Sequence, residues 1–167
     1  MKTETKLKEI IKILTFQNKT ISTMESCTGG GVANAITNIE GASEVLKFSA
    51  VTYSNEYKIK MGVSKYIIDT YSVYSMETAI DMSKKITAFT NSNYGVGVTG
   101  KLNRVDKNNP YGQDNIVFVS IYDKDKNNIN KITIEAKKAT RKENKDLIIE
   151  KTIDKLLAII TEKEDSN

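Results

Sequence analysis

Histidine and tryptophan are both missing from this 167-residue chain, and it has a single cysteine, Cys27, and a single proline, Pro110. Without histidine there can be no Ser-His-Asp triad, no Cys-His dyad and no His-ligated metal site. One cysteine cannot form an intramolecular disulfide, and a structural zinc site of the usual Cys/His kind is excluded as well. A reducing compartment suits such a chain. No stretch approaches the roughly 20 apolar residues of a membrane span, and Met1 to Lys8 alternates Lys, Thr and Glu without the apolar core of a signal peptide. The expectation is a cytoplasmic protein with no membrane contact. Arginine is scarce too: of 25 basic residues only Arg104 and Arg141 are arginines, and the lysines are scattered along the chain. Arginine is the favoured residue for bidentate contacts to guanine and phosphate. The net charge of +4 therefore reads as solvation, not as a nucleic-acid surface.

What is present fits one α/β domain over residues 1–167, with 162–167 a polar tail. A chain of this length buries roughly 70% of the surface it exposes when unfolded, enough for a core without covalent or metal staples. Leu7, Ile10, Ile11 and Leu14 recur at helical spacing, so residues 3–16 predict an amphipathic helix. Thr20 to Met24 and Val45 to Tyr53 have strand composition, and residues 38–43 between them read as a loop. Asn55 to Gly62 reads as a short helical turn, and Ser75 as the N-cap of a helix reaching Thr90. Tyr94 to Gly100 alternates glycine with β-branched residues, as a buried strand does where a backbone or a ligand comes close. Residues 101–115 form a long polar loop. Ile116 to Tyr122 and Ile129 to Glu135 flank a turn-forming segment and predict an antiparallel hairpin. Arg141 to Thr161 closes the chain as a helix. The expected fold is a three-layer α/β/α domain with a mostly parallel sheet plus that hairpin.

The chemistry concentrates in Glu25-Ser26-Cys27-Thr28-Gly29-Gly30-Gly31, which joins the first strand to a helix led by glycine. A serine on such a turn is held clear of the backbone, beside N–H groups that can take up an oxyanion or a phosphate. With no histidine available, its base would have to be a lysine whose neutral amine can accept the hydroxyl proton. Lys58 follows the second strand in Tyr53-Ser54-Asn55-Glu56-Tyr57-Lys58, and Ser26, Lys58 and Thr99 each lie just beyond a strand end, where open α/β sheets bind ligands. Taken alone, Ser26 reads as a helix N-cap before it reads as a nucleophile, and an isolated lysine reads as a solvated surface residue. Cys27 is a poor nucleophile, since nothing nearby forms its thiolate and apolar surroundings raise its pKa. Glu25 either positions a substrate or complements the helix dipole.

Taken together, Glu25 to Gly30, Tyr53-Ser54-Asn55 with Lys58, Val98-Thr99-Gly100, and Tyr71 to Glu77 running into a helix resemble the CinA C-terminal domain family. That family includes stand-alone nicotinamide-nucleotide amidases. The resemblance implies hydrolysis of the carboxamide of nicotinamide mononucleotide, without metal or organic cofactor, in pyridine nucleotide recycling. It implies Ser26 as nucleophile, Lys58 as base and Tyr53 as an assisting hydroxyl. Backbone N–H groups around Cys27, Thr28, Gly29 and Gly30 would form the oxyanion site, Thr99 and Gly100 would line the nucleotide pocket, and Arg141 would meet the phosphate. It further implies a homo-oligomer whose partner is a small pyridine nucleotide. In one place the chain departs from the pattern. Typical members follow Val-Thr-Gly with a glycine- and proline-rich run, whereas this chain continues Gly100-Lys101-Leu102-Asn103-Arg104-Val105-Asp106, so that Asn103 and Arg104 could supply side-chain contacts to the ligand. The alternative implied by that departure is a nucleotide-binding or protein-interaction module that has lost turnover.

Overall fold

The structure is a computed structural model that describes residues 1–103 and 115–162. Its helices are α1 (Thr3–Gln17), α2 (Gly31–Thr37), α3 (Asn55–Lys60), α4 (Lys65–Tyr71), α5 (Met76–Thr90) and α6 (Arg141–Thr161). The strands β1 (Ile21–Glu25), β2 (Leu46–Val51), β3 (Tyr94–Gly100), β4 (Ile116–Asp123) and β5 (Asn128–Glu135) form one sheet in the order β2-β1-β3-β4-β5. β1 pairs in parallel with β2 and β3, while β4 is antiparallel to both β3 and β5. Four of the five strands therefore run the same way, and the hairpin extends the sheet on one side. Among the described residues no helix is long and apolar enough to cross a membrane.

Helices cover both faces of the sheet, which gives the expected three layers. Leu7, Leu14, Val32, Ile36, Ile148 and Leu156 from α1, α2 and α6 share a core with Ile21, Val96 and Val98 of the sheet. On the other face Met24 of β1 packs with Ile68 of α4 and with Met82 and Ile86 of α5. The period of two along each strand assigns side chains to these faces. Met24 and Ser26 point toward α5, and Ile21 and Glu25 point toward α1, α2 and α6.

On β3 the alternation explains the glycines. A Cβ on Gly97 would lie 2.2 Å from the Ala79 carbonyl oxygen, and one on Gly95 would lie 2.4 Å from that of Ser83. The close neighbour anticipated for this strand is thus the backbone of α5, and no side chain can be accommodated under it. The helix ends follow local chemistry. Ser75 caps α5, its Oγ accepting the Thr78 N–H at 3.1 Å, and Thr140 caps α6 in the same way from Glu143 at 3.1 Å. Two elements differ from expectation: α4 forms where no helix was predicted, and the loop at 38–43 includes the start of a 3-10 turn at Ala42–Glu44. Of the polar tail, residues 163–167 lie outside the described residues.

Candidate active site

The parallel strands bring the ends of β1, β2 and β3 to one edge of the sheet. Ser26 continues the β1–β3 ladder, its N–H donating to the Val98 carbonyl at 3.0 Å, and the Thr52 N–H donates to the Glu25 carbonyl at 2.8 Å. α3 starts directly afterwards, capped by Ser54, whose Oγ accepts the Tyr57 N–H at 3.2 Å. This places Lys58 one turn into a helix that faces the nucleophile turn. Lys58 Nζ lies 3.0 Å from Ser26 Oγ, within hydrogen-bond distance, and donates to the Thr52 carbonyl at 2.6 Å. Lys58 is 2% exposed and Ser26 8% exposed. The solvated-lysine reading is thereby excluded. Ser26 is not a helix cap either, because the N-cap of α2 is Gly30.

The turn itself is held from beneath by Glu25, which is fully buried. Its carboxylate accepts from Thr23 Oγ1 at 2.9 Å, Thr28 Oγ1 at 2.6 Å, the Val32 N–H at 2.8 Å and the Ala33 N–H at 3.0 Å. Of the two roles open to Glu25, the geometry selects the helix-complementing one: it faces α2 and its oxygens are occupied. Gly29 and Gly30 have φ of +62° and +93°, a conformation that glycine adopts without steric cost. The Gly29 N–H donates to the Ser26 carbonyl at 2.9 Å, which removes it from the expected oxyanion site. Among the described residues the N–H groups of Thr28 and Gly30 have no protein acceptor, and that of Cys27 meets only its own thiol.

Cys27 is buried beside Ser26, and burial pushes its thiol up to about 12 against the opposing pull of Lys58. It is a neutral thiol at any ordinary pH. A thiol reagent at pH 8 is expected to leave Cys27 unmodified in the native protein and to react fully after denaturation, as thiol titration with and without denaturant would show.

Other expected contacts are reassigned. Thr99 is fully buried, and its Oγ1 donates to the Val73 carbonyl at 2.9 Å, tying β3 to the connection between α4 and α5. Gly100 is needed for strand pairing, since a Cβ there would lie 2.6 Å from the Ile116 carbonyl oxygen. Both serve the fold at the site's edge. Tyr53 is 64% exposed, and its hydroxyl accepts from Arg141 Nη2 at 3.2 Å. Arg141 Nη1 also donates to the Leu102 carbonyl. Tyr53 and Arg141 thus meet at the rim. Arg104 lies outside the described residues.

Two residues at this edge carried no expectation. Thr52 supplies the carbonyl that holds Lys58, and among the described residues its buried Oγ1 has no hydrogen-bond partner. Lys101 is buried at the exit of β3 with its ammonium 5.1 Å from the centre of the Tyr74 ring. Its position immediately after Thr99-Gly100 at a strand end was the available signal; nothing in the sequence marks Thr52. On the opposite face a groove of about 540 Å³ runs between α2 and α6, bordered by Thr28, Gly31 and Lys145. It touches the back of the turn and not the Lys58 side. Among the described residues no group of three or more Cys, Asp or Glu side chains could hold a metal ion.

Residues 3–160 match the family model described as the CinA C-terminal domain. The chain belongs to the CinA C-terminal domain family. A competence-damage inducible protein of Clostridium botulinum (strain Langeland) is 42% identical over 99 residues, which is 58% of this chain and 24% of the relative. One from Clostridium acetobutylicum is 41% identical over the same length, with the same coverage of 58% and 24%. The chain thus spans about a quarter of the length of the curated relatives it matches. The crystal structure of the competence/damage inducible protein CihA from Agrobacterium tumefaciens superposes with a TM-score of 0.84 at 28% identity, covering 94% of each chain. The competence or damage-inducible protein from Enterobacter asburiae gives a TM-score of 0.87 at 18% identity, over 96% of this chain and 99% of that one. The second likeness is one of fold alone. The CinA C-terminal fold accounts for the α/β layers.

Proposed function

We propose that the chain is an amidohydrolase that converts nicotinamide mononucleotide to nicotinate mononucleotide and ammonia through Ser26 and Lys58. The observation that carries this reading is the buried contact of Lys58 Nζ with Ser26 Oγ at 3.0 Å, within the distance a base needs from the proton it takes. A lysine acts as base only as its neutral amine, and withdrawal from water is a general means of obtaining that form. Lys58 takes the hydroxyl proton as Ser26 Oγ bonds to the carboxamide carbon. The resulting oxyanion faces the N–H groups of Cys27, Thr28 and Gly30, where one donor is worth roughly 3 kcal/mol. The C–N bond then breaks, and the departing nitrogen takes the proton from Lys58 and leaves as ammonia. Water attacks the acyl-Ser26 ester, Lys58 receives its proton and returns it to Ser26 Oγ, and nicotinate mononucleotide is released.

Arg141 supplies the anion contact. A guanidinium carries five N–H donors, and among the described residues two are used, on Leu102 and Tyr53, so that others can serve a phosphate. In this reading the enzyme works in the cytoplasm in pyridine nucleotide recycling, needs no cofactor and acts as a homo-oligomer. The test is incubation of the purified chain with nicotinamide mononucleotide, following ammonia and nicotinate mononucleotide. Absence of both products overturns the reading. The second reading, a nucleotide-binding or protein-interaction module without turnover, is supported by the changed segment after Gly100, where Lys101 is buried at the site's edge. Nucleotide binding without product would favour it.

A further inference from the structure

We infer that Asn103 and Asn144 form a clasp that positions Arg141, so that the arginine is preorganised for the anionic group of the ligand. The inference rests on the amidase reading for the identity of that ligand only. Asn144 lies on α6 and is fully buried. Its Oδ1 accepts the Lys138 N–H at 2.8 Å, and its Nδ2 donates to Asn103 Oδ1 at 2.6 Å and to the Lys138 carbonyl at 3.3 Å. Asn103 adds its own Nδ2, which donates to the carbonyls of Lys138 at 3.2 Å and Ala139 at 3.3 Å. Its N–H donates to Asn115 Oδ1 at 2.9 Å. Asn103 and Asn115 have φ of +59° and +60°, a left-handed conformation that asparagine tolerates better than most residues. An amide side chain carries an acceptor oxygen and a two-donor nitrogen on separate atoms, and both atoms of each asparagine are used here. The Asn103 side chain is therefore turned toward the start of α6.

Arg141 stands three residues before Asn144, on the same face of α6. It grips the same piece of chain, donating to the Leu102 carbonyl next to Asn103, and its other arm reaches Tyr53. The exit of β3 is thus fixed to the first turn of α6 at two points. A long arginine side chain otherwise loses rotamer freedom when it binds, and holding it in place beforehand removes that loss.

The test uses Asn103→Gly, which keeps the left-handed backbone at an exposed position, and Asn144→Ala. The chain has two arginines, Arg104 and Arg141, so modification by phenylglyoxal can be followed at each by peptide mass mapping. Modification of Arg141 is expected to be about fivefold faster in both variants, a conservative figure for releasing a held side chain. In Asn144→Ala, faster amide exchange at Lys138 reports that the clasp has opened. KM for nicotinamide mononucleotide is expected to rise about tenfold with kcat within about twofold, and Arg141→Ala/Asn144→Ala to be no worse than Arg141→Ala, because groups acting through one another are not additive. Unchanged Arg141 reactivity in both variants, or additive losses in the double variant, would overturn the inference. Faster modification with unchanged KM would overturn the link to the ligand. A chain that hydrolyses no nicotinamide mononucleotide would remove the amidase reading, and Arg141 reactivity would still decide whether the clasp exists.

Discussion

Ser26→Ala is expected to lower kcat for nicotinamide mononucleotide by about 10⁴-fold or more, the range seen when a nucleophile is removed from a unit that acts together. Lys58→Met should cost a similar factor. Methionine nearly keeps the volume of the lysine stem but cannot move a proton. Because Lys58 Nζ serves Ser26 Oγ directly at 3.0 Å, the two losses share one step, and the double variant should be scarcely slower than either single one. Independent contributions would instead multiply. Binding should separate the variants from a folding failure: Ser26→Ala should retain the affinity for nicotinate mononucleotide in calorimetry, since it removes one oxygen and leaves the turn intact. An active Ser26→Ala would exclude the mechanism, and a Lys58→Met variant with normal kcat would assign the proton to another group. The stability cost falls on Lys58→Met only, because it leaves the Thr52 carbonyl without the donor that it has at 2.6 Å. A buried acceptor left unmade costs about 1–3 kcal/mol.

The nucleophile turn was legible in the sequence because its composition is forced. Positive φ at Gly29 and Gly30 and a serine after a strand leave few other arrangements, and Ser75 and Arg141 mark the helix starts of α5 and α6. Which neighbours of the turn touch a ligand was less legible. Adjacent residues on a strand point to opposite faces, so Glu25 and Ser26 cannot share a pocket; the alternation carried this, but the covering helix on each face is set by tertiary packing. Thr99 shares the parity of Gly95 and Gly97 and so faces the helix that those glycines admit, where the Val73 carbonyl takes its hydroxyl. α4 escaped notice because Ile68 is its one buried residue, which leaves no apolar period to read. Its N-cap, Ser64, was the remaining sign, with Oγ accepting the Ile67 N–H at 3.4 Å. Asn103, Asn115 and Asn144 are far apart in the chain, and nothing local announces that their amides meet.

Glu25→Ala is expected to destabilise the fold by about 3–5 kcal/mol, at the upper end for a single substitution. The carboxylate takes hydrogen bonds from two hydroxyls and two backbone N–H groups in a fully buried place. The hydroxyls of Thr23 and Thr28 can rotate to other acceptors, but the N–H groups of Val32 and Ala33 are fixed by α2 and would stay unpaired, at about 1–3 kcal/mol each. Loss of a negative charge at the start of α2 adds a few tenths to about 1 kcal/mol. For a domain of this size the sum corresponds to a fall in Tm of roughly 10 °C, at about 2–4 °C per kcal/mol. Glu25→Gln should lie between, because its amide keeps one acceptor oxygen and turns an NH₂ group toward donors. The helix-complementing role of Glu25 is tested by urea unfolding of both variants beside their kinetics. A residue that holds the turn should lose stability first and kcat with it, since Ser26 is the next residue along the chain. A substrate contact would do the reverse, raising KM while the unfolding midpoint stayed where it was.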